Sequence, residues 1–378
     1  AYLQLCGDAA VSGLHMSFFF NDTATTEIYT LSLHDVFRSQ ELRISNDIME
    51  DAEALRERID GEGYLFFKQL QEPEKLIELR RQMLTVMQEA GWLIAGTEPV
   101  DGIADISRQC TEGDVEYTDV YHQVYRLEAF HRSAHWPEVM EIMTKVVGKP
   151  VLPHPHKVAR LWFPQYTAHT TPIHQDFVHF QGNFETYTCW APIGDCPIEL
   201  GGLAVLPGSH KINKVMDHHF SLGAGSLCIN TDELADNWHT TDYEVGDTLV
   251  FPALTVHKAL PNLTEDRLRV SLDNRYTATD SIISDHMLEP HLNGFNQLKW
   301  DDVYQDWGSD EFKYYWENLG LRVVPRDFSY SNTGFQEALD LARVGDERAK
   351  IHLSRIIKGD PTAEQTQRAT AVLQDLAA

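Results

Sequence analysis

The sequence predicts a mainly β core of jelly-roll type, a sandwich or barrel, with helices flanking it on the N- and C-terminal sides. Three observations predict it. From Val151 to about Tyr276 the chain breaks into short runs of branched and aromatic residues separated by turn residues. Before Val151, and again after about residue 282, apolar residues recur at helical spacing instead. The totals, 378 residues with 43% hydrophobic and 23% charged, are those of a globular chain that can bury a large core.

Residues 1–40 are expected to lie outside this fold, as a non-native or disordered leader. The run from Ser17 to Asp35 resembles a translated sequencing adapter, and it lacks the basic start and small-residue cleavage site of a signal peptide. Order is expected to begin near Ser45, where Ser45, Asn46 and Asp47 offer capping side chains. Ile48, Ala52, Leu55 and Ile59 then share a helical face, and Gly61 to Gly63 ends it. Residues 63–67 read as a short strand. Pro73 opens a second helix with Leu76, Leu79, Met83, Val86 and Met87 on one face. Residues 93–116 read as an acidic loop, and helical patterns follow at 117–130 and 137–147. Strands are expected at 156–163, 172–180, 185–192, 202–206, 226–230, 247–251, 254–258 and 267–276. Beyond 282 the chain is helical and aromatic, with amphipathic helices at 334–343 and 362–377. The division is therefore 45–280 for the central unit (helices 45–148, jelly-roll core 151–280) and 281–378 for a helical extension packed on it.

The formal net charge of −26 argues against nucleic acid and anionic membrane as partners, because both select a basic face. No apolar run approaches the length of a membrane span. Cys6, Cys110, Cys189, Cys196 and Cys228 are scattered and odd in number, the usage of reduced thiols in a cytoplasmic protein. Small molecules remain as partners, for a monomer or homodimer.

Chemistry concentrates in three stretches. In Thr171 to Gln181, strand parity makes His174 and Asp176 project together while Gln175 points the other way. A second histidine would complete a two-His, one-carboxylate face suited to non-haem iron. One His-x-Asp triplet is expected by chance among 18 histidines, so context must decide. In Gly246 to His257, an apolar strand ends on His257, the candidate third ligand; alone it reads as a capped core histidine. In Asp266 to Tyr276, parity puts Arg267, Arg269, Ser271, Asp273 and Arg275 on one face. That face is either solvent-exposed or aimed at an anion, for which the arginine fork is suited. Between these lies the Gly201–Gly202 to Pro207–Gly208 segment, with His210 read as structural.

The ordered set, His174-x-Asp176, Gly201 to His210, His257 to Asn262, and Arg269-x-Ser271, resembles the phytanoyl-CoA dioxygenase family of Fe(II)- and 2-oxoglutarate-dependent oxygenases. The resemblance covers roughly residues 60–280. It implies a double-stranded β-helix of cupin-like type. It implies His174, Asp176 and His257 as iron ligands, and Arg269 with Ser271 as holders of the far carboxylate of 2-oxoglutarate, with Arg267 as a rival. It places Gln175 and Trp190 at the cosubstrate pocket. It implies consumption of O2 and 2-oxoglutarate, release of succinate and CO2, and hydroxylation or a related oxidation of a small molecule. A carboxylate at Asp176 occupies the position that halogenating relatives leave to chloride. Two other readings stay open: a cupin-like metal enzyme that does not use 2-oxoglutarate, and a non-catalytic jelly-roll binding protein. Around the mouth, Tyr121, Gln123, His156, Tyr166, His169, His179 and Gln181 are candidates, each more readily explained as structural.

Overall fold

The computed structural model describes residues 39–231, 237–293, 297–358 and 362–377. The expectation of a leader over 1–40 falls, but for its last two residues, outside the described residues. Structure begins before Ser45, with β1 (Gln40–Glu41). The N-terminal helices follow the predicted pattern: α1 (Ala52–Glu62), then β2 (Leu65–Phe67), then α2 (Pro73–Glu89). Asp51 caps α1 by accepting from the Glu53 and Ala54 amides. The pattern at 117–130 splits into α3 (Val115–Tyr125) and α4 (Glu128–Ser133), because Leu127 is extended at ψ 118°. Next comes α5 (Pro137–Val147).

The β region holds β3 (Val151–Pro153), β4 (Val158–Trp162), β5 (His174–Gln175), a short helix α6 (Phe177–Phe180), β6 (Tyr187–Pro192) and β7 (Leu203–Val205). It continues with β8 (His218–Phe220), β9 (Leu227–Ile229), β10 (His239–Thr240), β11 (Thr248–Pro252), β12 (Val256–Ala259) and β13 (Arg269–Ala278). The C-terminal part has β14 (Ile282–Ser284), α7 (Trp300–Tyr304), β15 (Arg322–Val324), α8 (Ser329–Arg343), α9 (Glu347–Ile356) and α10 (Glu364–Ala377).

Two sheets form the core. One has the order β1-β10-β7-β12-β5. The other runs β2-β11-β6-β13-β3, with β4 also on β13. This is the double-stranded β-helix, its neighbours far apart in sequence. Parity sorts its side chains. Phe66, Trp190, Leu249 and Phe251 turn inward with Val205 and Tyr243. Leu65, Phe67, Cys189 and Val250 turn outward under Leu55, Ile59, Val139 and Ile142 of α1 and α5. A sheet covered on its outer face explains why β11 reads as an unbroken apolar run. Val270 and Leu272 of β13 likewise face the cluster built with Leu79, Met83 and Tyr121 of α2 and α3. Their neighbours Arg269, Ser271, Asp273 and Arg275 therefore point inward.

Two expectations need correction. The stretch 172–180 is not one strand: β5 spans only His174–Gln175, and Asp176 is already helical at φ −59°, ψ −27°. Carbonyl acceptance decides it, since the Asp176 carbonyl takes the amides of His179 and Phe180 at 2.9 and 3.1 Å, bonds that a continued strand could not make. The run at 226–230 forms a separate hairpin with β8 rather than joining a main sheet. Helix α9 was not expected from the sequence. The extension docks through Lys358–Asp114 at 2.7 Å, Arg355 to the Tyr166 hydroxyl at 3.0 Å, and the Glu337 carboxylate on the Phe220 amide at 2.6 Å.

Candidate metal centre

The pairing of β12 with β5 sets His257 directly opposite His174. Their rings lie 4.2 Å apart between centroids. Each imidazole is oriented by its own strand. Nδ1 of His174 donates to the Pro172 carbonyl at 2.8 Å, and Nδ1 of His257 to the Thr255 carbonyl at 3.0 Å. A carbonyl only accepts, so Nδ1 carries the proton and Nε2 keeps a free lone pair. The helical turn at Asp176 swings its carboxylate back between the two rings. Oδ1 lies 3.3 Å from His174 Nε2 and 3.6 Å from His257 Nε2. Donors at about 2.1 Å from one ion and at right angles sit roughly 3 Å apart, so the spacing fits a shared metal. The three form the one such cluster among the described residues, and all are buried.

Oδ2 of Asp176 is held separately. It accepts from the Thr188 hydroxyl and, at 3.2 Å, from Nη2 of Arg275. Burial alone would push this carboxyl up. Arg275, His257 and His174 override it and hold it well below the usual carboxylate range. Burial, then His174, pushes His257 down to about 4, so its imidazole is neutral and able to ligate near pH 7.

Two spaces meet at this cluster. A narrow inner cleft is lined by Trp162, Trp190, Leu203, Ala259 and Arg269 together with the three ligands. Arg269 is 1% exposed, lies 3.7 Å over the Trp162 ring, and donates to Ser271 Oγ at 2.5 Å. Its Nε has no hydrogen-bond partner. Burial pushes its guanidinium down to about 10. A buried cation without a carboxylate is costly, so this cleft fits an anion arriving from outside. Arg267 is different: its side chain is 42% exposed and reaches Glu199 at 3.8 Å. Gln175 does not line the cleft. Its amide donates to the Leu254 carbonyl at 2.9 Å and the Lys214 carbonyl at 3.2 Å, and accepts from the Met216 amide at 2.8 Å. Strand parity already turned it away from the metal ligands, and that parity prevails.

The second space is an outer cavity of about 350 Å³, lined by His174, Asp176, His156, His179, His286, His291, Arg160 and Arg326 among others. Of the mouth candidates, His156 and His179 line it. Tyr121 instead supports His291, its hydroxyl 2.6 Å from Nδ1. Gln123 donates to the Asp119 carbonyl at 3.2 Å. Tyr166 and His169 border a different crevice. The sequence reading missed His286, His291 and Arg326. They come from the extension, where residue type was the one signal for the two histidines and nothing local marked Arg326.

The phytanoyl-CoA dioxygenase (PhyH) family model matches residues 59–270. The chain belongs to that family. Among its relatives, 1-deoxypentalenic acid 11-beta-hydroxylase of Streptomyces exfoliatus is 24% identical over 277 residues, covering 68% of this chain and 89% of that protein. The same-named protein of Streptomyces arenae is 25% identical over the same shares. Similar solved structures include the epimerase SnoN with Fe3+, alpha ketoglutarate and nogalamycin RO, 20% identical, covering 62% of this chain and 86% of that one, TM-score 0.43. As a phytanoyl-CoA dioxygenase family member, the protein is an oxidoreductase that uses iron, 2-oxoglutarate and O2. None of the described helices is long and apolar enough to cross a membrane.

Proposed function

We propose that His174, Asp176 and His257 hold the iron, that Arg269 with Ser271 binds the far carboxylate of 2-oxoglutarate, and that a small organic molecule is hydroxylated from the outer cavity. One observation carries this: a buried three-donor cluster lies between a cleft whose buried guanidinium has an Nε without a hydrogen-bond partner and a separate cavity open to another molecule. When bound, iron and cosubstrate supply oxygen activation, with release of succinate and CO2.

The chain's own residues place and protect. Thr188 and Arg275 occupy Oδ2 of Asp176, which reserves Oδ1 for the metal. The carbonyls of Pro172 and Thr255 fix the two imidazoles. Trp162 and Trp190 wall the inner cleft and flank Arg269, so its fork meets a carboxylate out of water, where the pairing is strongest. Asp176 as a third protein ligand favours hydroxylation over halogenation. We take 45–280 as the catalytic unit and 281–378 as an extension that completes the cavity wall. We read the chain as a cytoplasmic monomer or homodimer; the free thiols of Cys110, Cys189, Cys196 and Cys228 are in keeping with a reducing compartment.

The test is an anaerobic titration of metal-free protein with Fe(II) and then 2-oxoglutarate, following the visible charge-transfer band of the chelate. The band should form, vanish in His174→Ala and need more cosubstrate in Arg269→Ala, while Asp176→Ala should abolish succinate release. Iron binding without a band would sink the cosubstrate assignment.

A further inference from the structure

The outer cavity carries a feature that the metal centre does not use. Two arginines line it. Arg160 is committed to carboxylates, 2.6 Å from Glu112 and 3.4 Å from Asp273. Arg326 is not. Its Nε is buried without a hydrogen-bond partner, and no carboxylate among the described residues lies within ion-pair distance of its guanidinium. The acid nearest in influence is Asp285, but Oδ1 of that carboxylate is occupied by the backbone amides of Arg326 at 3.0 Å and His286 at 2.7 Å. The lining itself carries three acids: Glu112 is paired with Arg160, Asp176 with Arg275, and Glu289 is solvent-exposed.

Arg326 is also held in place from the catalytic side. Gln181, directly after α6, clamps the next residue with both ends of its amide. Nε2 donates to the Asp327 carbonyl at 2.8 Å, and Oε1 accepts the Asp327 amide at 2.7 Å. Gln181 adopts φ +55°, a backbone conformation rare for a residue with a side chain. The parallel pairing of β14 with β15 sets Ser284 beside Val324 just before it. Gln181 lies five residues after the ligand Asp176, so the backbone next to Arg326 is tied to the segment that carries a metal ligand. The neighbouring His156 is kept neutral, pushed down to about 3 by burial, and does not compete as a cation near pH 7.

We propose that Arg326 is a specificity residue, and that the substrate is a small organic acid whose oxyanion, a carboxylate or a phosphate, binds it within the outer cavity. This rests on the reading of that cavity as the substrate site. An arginine fork desolvated on one side and lacking an internal carboxylate recovers its hydrogen bonds from such an oxyanion. The residue lies beyond the family match, which ends at 270, so the preference belongs to this chain's extension.

The test uses the full chain loaded with Co(II) and 2-oxoglutarate. Cyclohexanecarboxylate, cyclohexyl phosphate and the neutral cyclohexanecarboxamide are titrated in by calorimetry. An anionic probe should bind roughly ten- to a hundredfold tighter than the amide, the range set by a charged hydrogen-bond pair. Arg326→Gln should erase that preference and Arg326→Lys should keep part of it. The ranking of carboxylate against phosphate identifies the oxyanion. Equal binding of the amide, no saturable binding of either anion, or an unchanged preference in Arg326→Gln would each overturn the proposal. The same titrations on protein free of metal and cosubstrate separate this outcome from a failure of the iron and 2-oxoglutarate assignment. That failure would show as a missing chelate band while the Arg326-dependent preference persisted.

Discussion

Asp176 shows how one carboxylate serves two purposes. Its Oδ1 faces two imidazole nitrogens, and its Oδ2 faces Thr188 and Arg275. Arg275 is 2% exposed, packs 3.8 Å over the Phe180 ring, and also binds the Asp273 carbonyl at 2.7 Å. It acts on the metal only through Asp176, which makes it a positioning residue. Arg275→Met would leave a buried carboxylate without its main counter-charge. Breaking such a pair from one side costs about 3–5 kcal/mol, and iron affinity should fall with it. Urea unfolding and Fe(II) titration of the metal-free protein measure the two effects. An unchanged iron affinity beside a lost urea midpoint would assign Arg275 to stability alone.

Secondary-structure elements act here through register. The β5–β12 ladder makes the two histidines neighbours although 83 positions in the chain separate His174 from His257. The turn into β7 decides whether β12 can lie flat on its other side. Gly201 leads into it at φ +92°, and a Cβ there would stand 2.5 Å from the Leu260 carbonyl oxygen, a backbone atom that cannot yield. Gly208, at φ +75°, has open space around it. Gly201→Ala should therefore cost more than Gly208→Ala: about 1–3 kcal/mol from strain plus the backbone clash, against about 1 kcal/mol from the positive φ alone. Comparison of the two urea midpoints is the measurement, and equal losses would remove the steric part of this argument.

At the scale of the whole molecule, the extension and the core share a histidine-rich interior that must stay uncharged. Burial pushes His154 down to about 3 and His218 down to about 4. Both ring nitrogens of His154 are buried without partners, so a proton there would have nothing to meet it. The folded values lie below the ordinary 6.5, so the unfolded chain binds the protons first. Their contribution is complete above pH 6.5 and is lost as pH falls from 6.5 through 4 towards 3. Each buried histidine in that window adds a slope of up to about 1.4 kcal/mol per pH unit. The metal-free protein should lose its thermal midpoint steeply below pH 6. His154→Gln should flatten that slope, and a slope unchanged by it would show that other groups drive the acid transition.

Local pattern determined much of this protein. The period of the apolar residues marked the N-terminal helices and most of the core strands, because amphipathic spacing is a property of neighbouring residues. The order of His174, Asp176, His257 and Arg269 carried the resemblance to the family that residues 59–270 match. Parity alone turned Gln175 away from its neighbours and kept Arg269 on the face of Ser271. Tertiary structure decided the rest. Asp176 reaches the histidines through a helical turn, closed by the His179 and Phe180 amides on its carbonyl, where the alternating pattern predicted a strand. Whether Arg267 or Arg269 lies inside depended on which part of β13 the sheets bury. Arg326 and Gln181 are 145 positions apart, and their relation exists only because the extension folds back over the mouth of the jelly roll. Burial, register across distant strands and the absence of an internal counter-charge are properties of the assembled chain, and no local window contains them.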